Sequence, residues 1–122
     1  MQAQIIVMLG LSLSIAGCEQ RDELQVSIPG GNADRGEAML AQYQCGVCHV
    51  IPGVAGARGQ VGPSLEAFRH RVYLAGRLPN DPETLLRFIQ DPPAMIPDTA
   101  MPDIDVSADH ARDMAAYLYQ LE

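Results

Sequence analysis

Apolar positions recur at helical spacing at the two ends of the region following residue 33, and capping residues mark a helix between them. From Asp34 to Gln44, Ala38, Met39, Leu40 and Tyr43 suit one packed face, with Asn32 or Asp34 available as cap. At the other end Ser107 stands as a cap and Asp109 falls in the first turn, while Ala111, Met114, Ala115, Leu118 and Leu121 form a single stripe. Between these, Asn80 or Asp81 caps a helix beginning at Pro82, whose fixed φ suits the first helical position, and Asp91-Pro92-Pro93 stops it. Ser64 to Phe68 is assigned a short helical turn, and the pattern as a whole predicts an all-α domain over residues 34–122.

The N-terminal pattern is different. Residues 5–17 carry no charge, and eleven of residues 1–17 are apolar. Thirteen helical residues span roughly 20 Å, short of the ~30 Å hydrocarbon core, so residues 1–17 read as a signal peptide rather than a membrane span. The segment ends Ile15-Ala16-Gly17-Cys18, which resembles a bacterial lipoprotein lipobox, although Met1-Gln2-Ala3-Gln4 lacks the usual basic residue. The resemblance implies lipidation at Cys18, an exported chain and a membrane anchor on the periplasmic or outer face; the alternative is an ordinary signal peptide with an incidental Cys. Residues 18–33 then read as the lipidated Cys and a flexible tether, polar and ending in Pro29-Gly30-Gly31-Asn32.

Composition narrows what the helices can do. A chain of 122 residues, 48% apolar and 19% charged, has room for one small core. With no Trp, two Phe and four Tyr, it has few large side chains to fill that core. The basic residues are eight Arg with no Lys against fifteen acids, a net charge of −7 that argues against a nucleic-acid partner. Three Cys are too few for a disulfide scaffold and odd in number, which points to cofactor attachment, a metal or a reactive thiol.

Cys45-Gly46-Val47-Cys48-His49 has the C-x-x-C-H form of covalent haem c attachment. Two thiols on one helical face can add to the two vinyl groups of one porphyrin, and the next residue, His49, is then held beneath the iron. A redox dithiol competes, but it wants a strand before it and a helix after it, whereas a helical pattern precedes and a Gly/Pro-rich loop follows. A zinc site competes too, but outside the motif only His70, His110 and Cys18 remain, in no second paired cluster. The loop over residues 50–63, with four Gly and two Pro, needs a support, and a porphyrin edge would supply one.

From about Asp34 to Glu122 the chain resembles a class I cytochrome c. Beside the attachment motif, the resemblance rests on Phe88-Ile89-Gln90-Asp91-Pro92-Pro93-Ala94-Met95-Ile96-Pro97-Asp98-Thr99-Ala100-Met101-Pro102, similar to the family segment leading to the distal Met. It implies the cytochrome c fold, three main helices and short turns around one haem c bound covalently through Cys45 and Cys48, with His49 and Met101 as iron ligands. Met95, Met39 and Met114 are the rejected alternatives for the sixth position, read as core or loop cover, and His70 and His110 are read as surface residues. Gly62-Pro63 matches the Gly-Pro whose Pro63 carbonyl would accept the other ring N–H of His49. Thr99 matches a Thr that hydrogen-bonds near a haem propionate, and Phe88 an aromatic beside the distal Met. Relatives often have a Trp at the inner propionate; here Tyr73, Arg58 or Arg77 would have to serve. Gly36 and Tyr117 match the crossing of the first and last helices, so a larger residue at position 36 is expected to cost on the order of 1–3 kcal/mol through overpacking.

The resemblance implies a non-catalytic electron carrier, because Met/His ligation raises the reduction potential and closes the iron to substrates. Leu74-Ala75-Gly76-Arg77-Leu78-Pro79-Asn80 and the Met loop are similar to cytochromes associated with respiratory terminal oxidases. The implied partners are a quinol:cytochrome c oxidoreductase or another donor, and a terminal oxidase as acceptor. Without Lys, docking must be apolar at the haem edge or aimed at a basic partner. The alternatives are a haem relay subunit fixed in an oxidase or dehydrogenase complex, and a gas-binding or peroxide-reactive haem protein.

Overall fold

The computed structural model describes residues 25–122. Residues 1–17, Cys18 and the first part of the tether lie outside the described residues. Among the described residues no helix is long and apolar enough to cross a membrane.

Each expected cap closes its helix. The Asn32 side chain accepts from the Arg35 backbone N–H at 2.8 Å and opens α1, Ala33–Gln42. Asp81 accepts from Thr84 N–H at 2.9 Å and from the Thr84 hydroxyl at 2.8 Å ahead of α2, Pro82–Gln90. Asp91 does more than end α2: its side chain accepts from Ala94 N–H at 3.1 Å and caps a further turn, α3, Pro92–Met95. Ser107 accepts from His110 N–H at 3.2 Å and opens α4, Ala108–Leu118.

α1 crosses α4 at Gly36. A Cβ there would overlap the Asp113 carbonyl oxygen and lie 3.0 Å from Tyr117 Cβ, so the crossing has the backbone-to-backbone intimacy only glycine permits. The Tyr117 hydroxyl then reaches across to donate to Pro52 O at 2.6 Å. α2 lies on another part of α4, and Leu40, Leu85, Phe88, Ala111, Met114 and Leu118 meet in the core they share.

Three differences from the sequence reading have local causes. The tether does not run to residue 33. Ile28 is buried, Gly31 N–H closes a turn to Ile28 O at 3.0 Å, and Asn32 N–H donates to Asp113 Oδ1 at 2.8 Å. The folded unit therefore begins at Ile28 instead of Asp34; a lone Ile without periodicity carried no packing signal, yet the Pro29-Gly30 turn, with Gly30 at φ 76°, seats it in the core. The turn assigned to Ser64–Phe68 forms instead at Phe68–His70, because Ser64 Oγ captures Glu66 N–H at 3.2 Å and Ala67 sits in the left-handed region at φ 50°. Residues 73–79, given no element, form an antiparallel hairpin of β1, Tyr73–Leu74, and β2, Leu78–Pro79. Its reversal uses positive φ at Ala75 (47°) and Gly76 (68°), with Arg77 N–H bonded to Leu74 O at 3.0 Å.

One buried charge ties the ends of the domain. Asp113, on α4, takes a two-pronged Arg35 contact, Nε to Oδ2 at 2.8 Å and a terminal guanidinium nitrogen to Oδ1 at 2.9 Å, besides the Asn32 N–H. The Arg35 hydrogen bond is the main reason the Asp113 carboxyl titrates below its ordinary 3.8, with the Asn32 N–H adding to it and burial opposing.

Candidate functional site

The attachment motif is built as a tight turn at the end of α1. Gln44 adopts φ 57°, a 3₁₀ turn follows over Cys45–Val47, and His49 N–H bonds Cys45 O at 3.0 Å. The loop over residues 50–63 folds back beneath it. Gly59 N–H donates to Gly46 O at 3.0 Å and Gly62 N–H to Cys48 O at 2.8 Å. Two glycines make this closeness possible: a Cβ on Gly46 would lie 2.6 Å from Ala57 Cα, and one on Gly62 would lie 2.8 Å from His49 Nδ1.

His49 Nδ1 lies 2.7 Å from Pro63 O. A carbonyl oxygen only accepts, so Nδ1 carries the donated proton, and in the neutral ring Nε2 keeps its lone pair. That is the tautomer an imidazole needs in order to bind a metal through Nε2, with its orientation fixed by the second nitrogen.

A cavity of about 360 Å³ opens beside the motif. Cys45, Cys48, His49, Pro63, Phe88, Thr99 and Met101 all line it, gathered there from segments more than fifty positions apart. Core side chains of α1, α2 and α4, among them Leu40, Leu85 and Leu118, supply the apolar remainder. Thr99 Oγ1 accepts from Met101 N–H at 3.2 Å and Thr99 N–H donates to Ile96 O at 3.0 Å, a turn that shapes the loop presenting the thioether. Burial pushes the Cys45 thiol above its ordinary 9.0, the reverse of the activated thiolate a redox dithiol requires.

The competing methionines separate cleanly. Met39 and Met95 pack on the core without lining the cavity, and Met114 is fully buried at its back wall. His70 is exposed and outside the cavity. His110 is half-buried rather than a solvated surface residue, since its Nδ1 shares a hydrogen bond of 2.9 Å with the Tyr43 hydroxyl. Tyr43 in turn lines the cavity.

Of the three residues proposed for a propionate, Tyr73 lines the cavity, whereas Arg58 and Arg77 do not. Arg77 is committed to Asp98, at 2.6 Å and 3.1 Å. The cation that does line the cavity is Arg71, held by donation to the Ser64 and Glu66 carbonyls. The charged run Arg69-His70-Arg71 disguised it. The available signal was its spacing from Phe68, three residues and one 3₁₀ turn, which carries both to the same side.

The donor set suits one kind of occupant. A free imidazole Nε2 and a thioether sulfur face an apolar cavity with two thiols at its edge and one guanidinium, which fits a flat apolar ring system carrying a metal, attached through the thiols and bearing peripheral negative charge. Among the described residues no three His, Cys, Asp or Glu side chains converge to hold a bare metal ion.

No family model matches the chain. Cytochrome c oxidase subunit 2 of Alkalihalophilus pseudofirmus is 28% identical, over 84% of this chain and 32% of that protein, so the chain spans about a third of the curated relative's length. Among solved structures, cytochrome c2 from Rhodobacter sphaeroides superposes with a TM-score of 0.54 at 23% identity, over 75% of this chain and 96% of the other. Among the described residues α1 and α4 cross at Gly36, and the C-x-x-C-H motif and Met101 line one cavity with side chains of α1, α2 and α4; on that architecture the chain has the fold of the class I cytochromes c.

Proposed function

We propose that the chain is a membrane-tethered c-type cytochrome that carries single electrons in a bacterial respiratory chain, to or within a terminal oxidase. The observation that carries this reading is the His49–Pro63 hydrogen bond, which leaves Nε2 available in the same apolar cavity as Met101. In this reading Cys45 and Cys48 form the thioethers and His49 and Met101 ligate iron, while Arg71 and Tyr73 receive the propionate charge. When bound, haem c supplies a one-electron Fe(III)/Fe(II) couple. The chain's own groups fix the imidazole through Pro63 O, present the thioether on the Thr99 turn and exclude water with the core leucines of α1, α2 and α4. Held by both His49 and Met101, the haem would offer substrate no place to bind, which supports transfer rather than catalysis as the role.

The lipid anchor at Cys18 and export to the periplasmic or outer face belong to this proposal and rest on the Ile15-Ala16-Gly17-Cys18 motif. A second reading, a relay domain held permanently in an oxidase, is favoured by the likeness to part of an oxidase subunit 2. Co-elution with a complex from gently solubilised membranes supports the relay, and a free lipoprotein supports the shuttle.

The optical spectrum with and without carbon monoxide tests the central claim. A sulfur-to-iron charge-transfer band in the oxidised protein, lost in Met101→Ala, with no gas binding by the reduced parent, is the expected result. Ready gas binding by the parent refutes the carrier reading and favours the gas-reactive one. The mass of the N-terminal peptide checks Cys18.

A further inference from the structure

The mouth of the cavity is apolar, exposed and asymmetrically charged. Val47, between the two attachment cysteines, is 68% exposed, and Val61, beside Gly62, is 76% exposed. On the Met101 loop Pro102 is exposed and Ile104 is 42% exposed. Val47, Pro102 and Ile104 themselves line the opening. Single exposed apolar residues are ordinary, but Val47, Pro102 and Ile104 border one opening from two separate segments, which makes a patch.

The charges differ between those segments. Asp103 and Asp105 are exposed on either side of Ile104, and Asp103 Oδ1 accepts only from Asp105 N–H, at 2.9 Å, with Asp105 at φ 57°. Neither forms an ion pair among the described residues. Arg77 is forked onto Asp98, whereas Arg71 keeps its charge, donates to the Ser64 and Glu66 carbonyls and forms an ion pair with neither aspartate. Arg58 stands on the attachment side, next to Gly59, whose N–H bonds Gly46 O. The chain has no lysine.

We propose that this rim is the docking face for a redox protein that presents an apolar patch bordered by Arg or Lys, with those basic residues set against the Asp103–Asp105 side of the opening. The inference rests on the electron-carrier reading. Apolar contact at Val47, Pro102 and Ile104 would bring the partner close to the cavity edge, while the two aspartates steer approach and fix its rotational register.

The test uses the holoprotein, with a lysine-rich oxidised mitochondrial cytochrome c as the basic probe and ferricyanide as the small one. Stopped-flow oxidation of the reduced parent is compared with Asp103→Asn/Asp105→Asn, Ile104→Ser and Arg58→Gln. At low ionic strength the double variant should react with the basic probe roughly 3- to 10-fold more slowly, the difference closing as salt is raised. Ile104→Ser should be slower at every ionic strength, and Arg58→Gln should not be slower. In an NMR titration with the same probe, amide shifts should concentrate at Val47 and at Asp103–Asp105. Parental rates for the double variant at low salt, or shifts clustered away from the opening, overturn the docking face. Failure of the parent to exchange electrons even with ferricyanide overturns the carrier reading itself, a distinct result.

Discussion

Replacing Gly36 with alanine adds one methyl group at the tightest point of the fold. The added Cβ would lie 2.6 Å from the Asp113 carbonyl carbon and 3.0 Å from Tyr117 Cβ, besides overlapping the Asp113 carbonyl oxygen. Carbon contacts settle near 3.5–4.0 Å, so α1 and α4 must part by about 1 Å. None of the atoms it meets can swing aside, since they are backbone and Cβ, which puts the overpacking cost towards the upper end of about 1–3 kcal/mol. Alanine repays about 1 kcal/mol in helix propensity. The net loss is about 1–2 kcal/mol, which in a domain of this size lowers the melting temperature by roughly 4–16 °C. Thermal unfolding followed by far-ultraviolet circular dichroism measures it. Ala38→Gly, on the exposed side of the same helix, is the control and should lose about 1 kcal/mol through propensity alone. A Gly36→Ala protein that melts at or above the parent would show that the two helices do not cross where the structure has them.

Three further outcomes are expected. Gly62→Ala should displace the His49 ring from Pro63 O, because the new Cβ would sit 2.8 Å from Nδ1; on the haem c reading proposed above, a reduced yield of protein with the parental optical spectrum checks it, and an unchanged yield and spectrum count against the cradle. Because folding lowers the Asp113 carboxyl below its ordinary 3.8, its stabilising contribution is present above that pH and is lost as pH falls through the depressed folded value; Asp113→Asn should flatten this part of the acid-unfolding curve. Tyr119 is pushed up to about 12, by burial and then by Asp81, so stability should hold to pH 10 and decline between 10 and 12, a slope that Tyr119→Phe should remove in denaturant titrations at alkaline pH.

The parts of this molecule that were legible in the sequence are those fixed by short-range chemistry. Asn32, Asp81 and Ser107 cap the helices they precede because the donors each satisfies lie within three residues of it. The site was legible for a different reason: C-x-x-C-H fixes five positions at once, and the resemblance carried the reading to Met101, Thr99 and Pro63, which the fold does gather around one cavity. What escaped depends on partners far along the chain or on backbone states a sequence does not advertise. Arg35 and Asp113 are 78 positions apart, and neither differs locally from a solvated charge. Ala75 reverses the hairpin at φ 47°, where a reader looks for Asn or Gly. In sequence Asp91 reads only as a terminator because a proline follows it, although proline is welcome in the first turn that Asp91 caps. Nothing in the sequence favours Arg71 over Arg58 and Arg77, because which of eight arginines turns inward is decided by the Phe68 turn, not by charge.

The return loop beneath the attachment motif has a consequence for how the protein can be altered. Its returning arm is clamped to the motif at Gly59–Gly46 and Gly62–Cys48 and its neck is closed by Ile51 N–H on Ala57 O at 3.3 Å, while its tip at Ala55 and Gly56 is exposed and a Cβ on Gly56 would meet nothing within 4 Å. Closing a longer loop between fixed clamps costs little, about 0.6 kcal/mol for each doubling. The tip is therefore the place where extra residues, such as a metal-chelating tag or a surface linker, could be inserted while His49 keeps its carbonyl partner, fixing the protein to a support without touching the mouth of the cavity.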